Sequence, residues 1–325
     1  MPLVRSEYNP PFWQKSGHLS TIYAGLLRKV PEVVQKRERI TLTDGDFLDL
    51  DWTYSDSEKR TLVIVLHGLE GSAQRPYITG SAKAFLSEGW DTCAVNFRGC
   101  SGSPNTRFRS YHSGATEDLV EIVEHVISLD CYDTIFIKGF SLGGNLTLKY
   151  LGEGNPIPKQ VKAALAISVP CDLTDSCQML MSPKNVLYAK RFKKHLLAKL
   201  RQKQEMFPDL VAENDIRHII TLKDFDDFYT SKAHNFKDAN DYYQKCSAKQ
   251  FLPNIQIPTL LINAQNDSFL GENCFPFSEA ENSKSFFLET PKFGGHVGFW
   301  GPKNITYTER RALIFFKEKI AALNL

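Results

Sequence analysis

The run Thr134-Ile-Phe-Ile-Lys-Gly-Phe140, followed at once by Ser141 and the helix-forming stretch Leu142–Leu151, constrains the fold more than any other segment of the chain. Its β-branched and aromatic residues predict a buried strand, and the residues after Ser141 carry helical spacing. The junction reads Gly139-Phe140-Ser141-Leu142-Gly143, a G-x-S-x-G string. At a sharp strand-to-helix bend this spacing lifts the serine hydroxyl above the sheet, and glycines on both sides relieve the crowding because they carry no Cβ. The following helix directs its free N–H groups and positive dipole end at the same spot, which favours a developing oxyanion. Five residues of this kind recur by chance in roughly one chain of ten this size, so the strand and helix around them carry the weight. A tight turn without chemistry is the plain alternative.

The rest of the chain repeats the strand–helix rhythm. Residues 37–54 predict a hairpin turning at Asp44-Gly45-Asp46, and 61–68 (TLVIVLHG), 91–97, 134–140 and 162–169 predict strands. Helices are expected at 76–89, 115–129 and 142–151. This βαβ alternation predicts an α/β fold, a mostly parallel central sheet flanked by helices. From 171 to 250 the rhythm stops; the segment is polar, helical or irregular. It resumes with a strand at 258–264, a helix near 271–282, a strand at 285–290 and a helix at 305–323. The expected division is an N-terminal extension packing on the core (1–36), a core (37–170 and 251–325) and a helical cap insertion (171–250). A cap there would lie over the C-terminal sheet edge, where open α/β sheets bind ligands.

Composition narrows the class. Of 325 residues, 42% are hydrophobic and 23% charged, and the formal net charge is +2. That balance gives no global attraction for nucleic acid. Seven cysteines occur without a C-x-x-C pair, so neither a zinc site nor a disulfide framework is suggested. No apolar run reaches bilayer length, and the first twenty residues lack the apolar core of a secretory signal. The expectation is a soluble cytoplasmic protein without stable membrane insertion, needing no metal or organic cofactor.

A serine nucleophile needs a base. Of eight histidines, His296 stands in the glycine-rich loop Phe293–Gly298, directly after the last expected strand. The carboxylate that would hold its tautomer is Asp267, at the end of the strand 258–264. The chain order Ser–Asp–His is that of a nucleophile elbow on an α/β-hydrolase fold. A structural histidine, and an Asx turn or helix cap at Asp267, are the plainer alternatives. Asp172, also just past a strand end, is the competing acid. The loop His67-Gly68-Leu69-Glu70-Gly71 follows the first core strand, and the main-chain N–H groups of Leu69 and Leu142 are the expected oxyanion donors. His67 precedes the nucleophile in the chain and is expected to pack the loop.

Three other patterns carry less. Arg98–Ser103 lacks the Lys-Ser/Thr of a phosphate loop, and is read as a tight loop bordering the pocket. His125 and Asp130 have an HxxxxD spacing, but at a helix end leading away from the expected active edge. Residues 184–204 form a basic amphipathic stretch with Tyr188, Phe192, Leu196 and Leu200 on one face. A solvated cap helix is the plainer reading, and peripheral contact with anionic lipid or an acidic substrate the other.

With these motifs in place, the chain resembles the YheT-like, embryogenesis-associated branch of the α/β hydrolases. The resemblance runs nearly end to end. It includes GHLSTI at 17–22 (the branch usually has Gln at position 20), HGLEGS at 67–72, NFRGCSGSPN at 96–105, GFSLGGNLTLKYLGE at 139–153, INAQNDSF at 262–269 and GGHVGFW at 294–300. It implies a carboxylesterase or lipid hydrolase with the triad Ser141, Asp267 and His296, acting on a small-molecule ester through an acyl-enzyme. Animal members of the branch often carry an N-terminal membrane anchor; this sequence shows none. Transfer of the acyl group to an alcohol or thiol other than water, and a non-catalytic binding role, are the competing readings.

Overall fold

A computed structural model describes residues 2–323; Met1, Asn324 and Leu325, the outer limits of the expected extension and core, lie outside the described residues. The apolar runs form β1 (Leu3–Val4), β2 (Lys36–Thr41), β3 (Phe47–Thr53), β4 (Thr61–Leu66), β5 (Asp91–Asn96), β6 (Thr134–Phe140), β7 (Val161–Ile167), β8 (Thr259–Ile262) and β9 (Phe286–Glu289). They make one nine-stranded sheet in the order β1-β9-β8-β7-β6-β4-β5-β3-β2. Only β3 runs against the rest; it pairs in antiparallel register with β2 on one side and β5 on the other. The hairpin turns at Gly45, whose φ of 78° suits a residue without a Cβ.

The helices are α1 (Gly17–Ile22), α2 (Pro76–Leu86), α3 (Thr116–Ser128), α4 (Leu142–Gly152), α5 (Leu173–Met181), α6 (Val186–Met206), α7 (Glu213–Arg217), α8 (Leu222–Phe225), α9 (Ser231–Ala233), α10 (Ala239–Cys246), α11 (Phe277–Glu281) and α12 (Tyr307–Leu323). Helices cover both sheet faces, which is why β4 and β7 read as continuous apolar runs rather than alternating ones. Alternate residues of β4 serve the two layers. Leu62, Ile64 and Leu66 pack with Leu119, Ile122 and Val126 of α3 and Leu146 of α4. Val63 and Val65 pack with Phe85 of α2 and with Phe315 and Phe316 of α12. A lysine is sealed in this second layer. Lys138 of β6 donates to Ser81 Oγ at 3.0 Å and to the Thr308 carbonyl at 3.3 Å. Burial pushes its pKa down to about 7, against the opposing pull of Glu309.

Between β7 and β8 the chain inserts α5–α10, with no strand. These helices have small cores of their own, one of Leu173, Cys177, Tyr242 and Tyr243, the other of Leu200, Val211, Ile216, Phe225 and Tyr229.

One expectation needs correction. The helix near 271–282 is a 3₁₀ turn at Glu272–Cys274 and then the five-residue α11. Pro276 separates them: it pushes the preceding Phe275 out of helical geometry, to φ −116° and ψ 82°. The N-terminal residues add a strand to the sheet, with Leu3 and Val4 pairing in parallel with Leu288 and Glu289. Farther along, the Arg28 guanidinium makes two hydrogen bonds to the Glu309 carboxylate, at 2.7 and 2.9 Å, tying this segment to α12.

Candidate active site

Ser141 lies between β6 and α4 with φ 51° and ψ −116°, a conformation L-residues rarely adopt. Close packing dictates the flanking glycines. A Cβ on Gly139 would lie 2.3 Å from the Gly143 carbonyl oxygen, and one on Gly143 2.6 Å from that of His67. The bend is held by the Ser141 N–H, which donates to the Ile167 carbonyl at 2.8 Å.

The structure brings the three expected side chains together. His296 Nε2 lies 2.9 Å from Ser141 Oγ, and His296 Nδ1 lies 2.8 Å from Asp267 Oδ2. An Nδ1–H that donates to the carboxylate leaves Nε2 to accept the serine proton. The other oxygen of Asp267 accepts the Phe269 N–H at 2.9 Å, which fixes the carboxylate at the end of β8. Asp267 is buried. The Phe269 ring covers the imidazole, with centroids 4.2 Å apart. Tyr188 and Phe192 of α6 meet that ring edge-on.

Asp172 does something else. It accepts the Asp175 N–H at 3.0 Å and caps α5. His67 is fully buried; its Nδ1 meets the Gly68 carbonyl at 2.7 Å and its Nε2 accepts the Phe97 N–H at 3.2 Å. Burial pushes its pKa down to about 3, so it stays neutral and shapes the loop. Arg98 is also buried. It pairs bidentately with Asp118, and through its other nitrogen with Asp44 and Asp46. His125 faces Glu38 at 3.2 Å, at the far end of α3.

The loop after β4 abuts the serine: a Cβ on Gly68 would meet Ser141 Cβ at 3.1 Å. The N–H groups of Leu69 and Leu142 make no hydrogen bond to another protein group among the described residues. Glu70 holds the loop at φ 54°. Its N–H donates to Tyr111 Oη at 2.9 Å, that hydroxyl donates to the Glu70 carboxylate at 2.6 Å, and Lys199 of α6 closes on the same carboxylate oxygen at 2.9 Å.

Several residues around the site escaped sequence reasoning. The His296 loop is pinned by two hydroxyls, Thr21 Oγ1 accepting the His296 N–H at 2.8 Å and Ser168 Oγ accepting the Val297 N–H at 2.9 Å. The Gly295 N–H donates to Asn266 Oδ1 at 2.9 Å. Each of these lies in or beside a segment singled out above, GHLSTI, the end of β7 or INAQNDSF, but nothing local announces a role. Above Ser141 a cavity of about 310 Å³ is walled by apolar residues of the insertion, among them Leu173, Leu180, Phe192 and Leu196, and by Ile22 and Leu26 of the N-terminal segment.

Comparisons with known proteins agree with this architecture. Residues 61–211 match the family described as alpha/beta hydrolase fold. The chain is 34% identical over 302 residues to the candidate esterase YheT of Escherichia coli, covering 91% of this chain and 88% of that one. It is 28% identical over 335 residues to the phospholipase ABHD3 of Homo sapiens, covering 99% of this chain and 80% of that one. Among solved structures, the Pyrococcus furiosus esterase Pf2001 superposes with a TM-score of 0.59 at 18% identity, over 90% of this chain and 96% of that one.

Proposed function

Because the chain belongs to the α/β-hydrolase superfamily, we propose that it is a serine carboxylester hydrolase of the YheT-like, embryogenesis-associated branch, with Ser141 as nucleophile, His296 as general base and Asp267 as the orienting carboxylate. The observation that supports this reading is the unbroken hydrogen-bonded line Asp267–His296–Ser141, at 2.8 and 2.9 Å. The relatives' names, an esterase and a phospholipase, agree with it.

In this mechanism His296 Nε2 takes the serine proton as Oγ attacks the ester carbonyl, and Asp267 stabilises the imidazolium that forms. The main-chain N–H groups of Leu69 and Leu142 hold the oxyanion. One such donor is worth about 3 kcal/mol in the transition state. The imidazolium then protonates the leaving alcohol. Water, activated by the same His296, hydrolyses the acyl-enzyme.

The cavity, about 310 Å³, is near the lower end of the range for ligand pockets, roughly 300–1,000 Å³, and suits a short-to-medium acyl chain. We read residues 171–250 as a cap on a core of 37–170 and 251–325, with 1–36 as an extension. The seven free thiols fit a reducing, cytoplasmic setting.

A fluorophosphonate probe tests the reading directly. It should label the protein, and Ser141→Ala should abolish both the label and hydrolysis of a chain-length series of p-nitrophenyl esters. Persistent labelling of the alanine variant, or no hydrolysis of any ester by the unmutated protein, would overturn it.

A further inference from the structure

The helix α1 and the π-turn that continues it, Tyr23–Leu27, are docked inside out. Their buried residues are small: Ser20 is 0% exposed and Ala24 2%. The large apolar residues face outward, Leu19 at 56%, Ile22 at 37%, Leu26 at 54% and Leu27 at 63%. Leu19, Ile22 and Leu26 are spaced i, i+3 and i+7, the stripe that a helix of a globular protein ordinarily turns toward the core. Here the stripe runs along one lip of the cavity, and Ile22 and Leu26 line its wall.

The start of α6 lines the same cavity with Tyr188, Arg191 and Phe192. The two helices are clamped together by the His18 ring, stacked on Tyr188 with centroids 5.7 Å apart, and by a 3.2 Å contact from His18 Nδ1 to Tyr188 Oη. Leu187 is 77% exposed. Lys190, Arg191 and Lys194 share its face at i+3, i+4 and i+7, all exposed. These three cations have no ion-pair partner among the described residues. Residues 184–206 hold eight Lys and Arg against one Glu, Glu205, although the formal charge of the chain is only +2. The first turn of α6 has no acidic residue, and cations in the N-terminal half of a helix oppose its dipole, so helix stability does not account for them.

Apolar side chains fringed by unpaired cations, at the rim of the opening above Ser141, match the chemistry of one surface. We propose that this rim docks on an anionic lipid surface, with Leu19, Leu26 and Leu187 entering the headgroup layer and Lys190, Arg191 and Lys194 meeting the negative charge. A second copy of the chain would bring the same cations face to face, which disfavours it as the occupant. The inference deepens the esterase reading by placing the ester in the leaflet beneath the opening. It rests on that reading only for what is cleaved.

The test uses the full chain with Ser141→Ala, so binding is read apart from turnover. It should co-sediment with vesicles of phosphatidylcholine mixed with phosphatidylserine, weakly with phosphatidylcholine alone, and less as salt is raised. Leu19→Ser with Leu187→Ser, and Lys190→Glu with Lys194→Glu, should each lower partitioning at least about tenfold. The same pairs placed on the Ser141 protein should leave hydrolysis of a soluble p-nitrophenyl ester unchanged, which reports an intact fold. Equal binding to both vesicle types, equal binding by the variants, or no binding would overturn the proposal. So would a sedimentation mass that falls from dimer to monomer when the leucines are replaced.

Discussion

The hydroxyl oxygen of Thr21 accepts the main-chain N–H of His296 at 2.8 Å, while its own proton goes to the Gly17 carbonyl at 2.7 Å. A residue near the start of the chain thus sets the height of the loop that carries the proposed base. Thr21→Val keeps the shape but removes the acceptor, leaving the His296 N–H unpaired at a cost of about 1–3 kcal/mol. We expect kcat to fall roughly tenfold with KM little changed, and Thr21→Ser to restore it. Steady-state kinetics of the two variants, with Tm measured alongside, check this.

The two aspartates considered for the acid should separate cleanly. Asp267→Asn keeps the volume but reverses the tautomer His296 needs, and should lower kcat by about 10⁴. Asp172→Asn should leave kcat unchanged, because asparagine caps a helix as well as aspartate does, and Asp172→Ala should cost only about 1 kcal/mol of stability. A large kinetic effect at Asp172 with a small one at Asp267 would reverse the assignment.

The proposed oxyanion loop is held through Glu70 by Tyr111, which lies between β5 and α3, and by Lys199 of the insertion. Tyr111→Phe removes the two hydrogen bonds that Tyr111 makes with Glu70, the residue after Leu69. Misaiming one donor should lower kcat roughly tenfold, within the larger cost of losing it altogether. Lys199→Met, which leaves Tyr111 in place, should cost less. The rate of phosphonylation by a fluorophosphonate should fall in the same order, since that reaction also builds charge on the oxygen facing Leu69.

Lys138 predicts a pH dependence of stability. Its folded pKa of about 7 is below its ordinary 10.5 because burial disfavours the cation. Between those values the unfolded chain binds more protons, so stability rises with pH; below about 7 the cost of the buried charge stands in full. Lys138→Met should therefore raise the unfolding free energy near pH 6 by an amount on the order of a few kcal/mol, read as a higher urea midpoint, and flatten its rise toward pH 9. An unchanged pH slope would show that the ammonium is not desolvated as the structure implies.

Strands β4–β7, the bend at Ser141 and the positions of Asp267 and His296 were legible because each leaves a local trace: an apolar run, a glycine pair, a chain order. Other features leave none. Leu3–Val4 is too short to carry a period, and becomes a strand only because β9 has a free edge. Thr21 and Ser168 act through main-chain N–H groups 275 and 129 residues away, which no side-chain pattern encodes. The helix expected near 271–282 is broken because Pro276 acts on the backbone of Phe275 before it. The division at 171–250 followed from the loss of rhythm alone; the contacts of Tyr188 and Phe192 with Phe269, and of Lys199 with Glu70, needed the folded chain.

The pairing of β1 with β9, and of α1 with the His296 loop, also has a meaning for biosynthesis. Domains begin to fold while the ribosome is still adding residues, at about 5–20 per second. Leu3 and Val4 must wait for Leu288 and Glu289 before they find their partners. The serine can stand ready on its bend well before the imidazole proposed to activate it, 155 residues later, has been made, so a chain paused between the two lacks the base of the proposed triad.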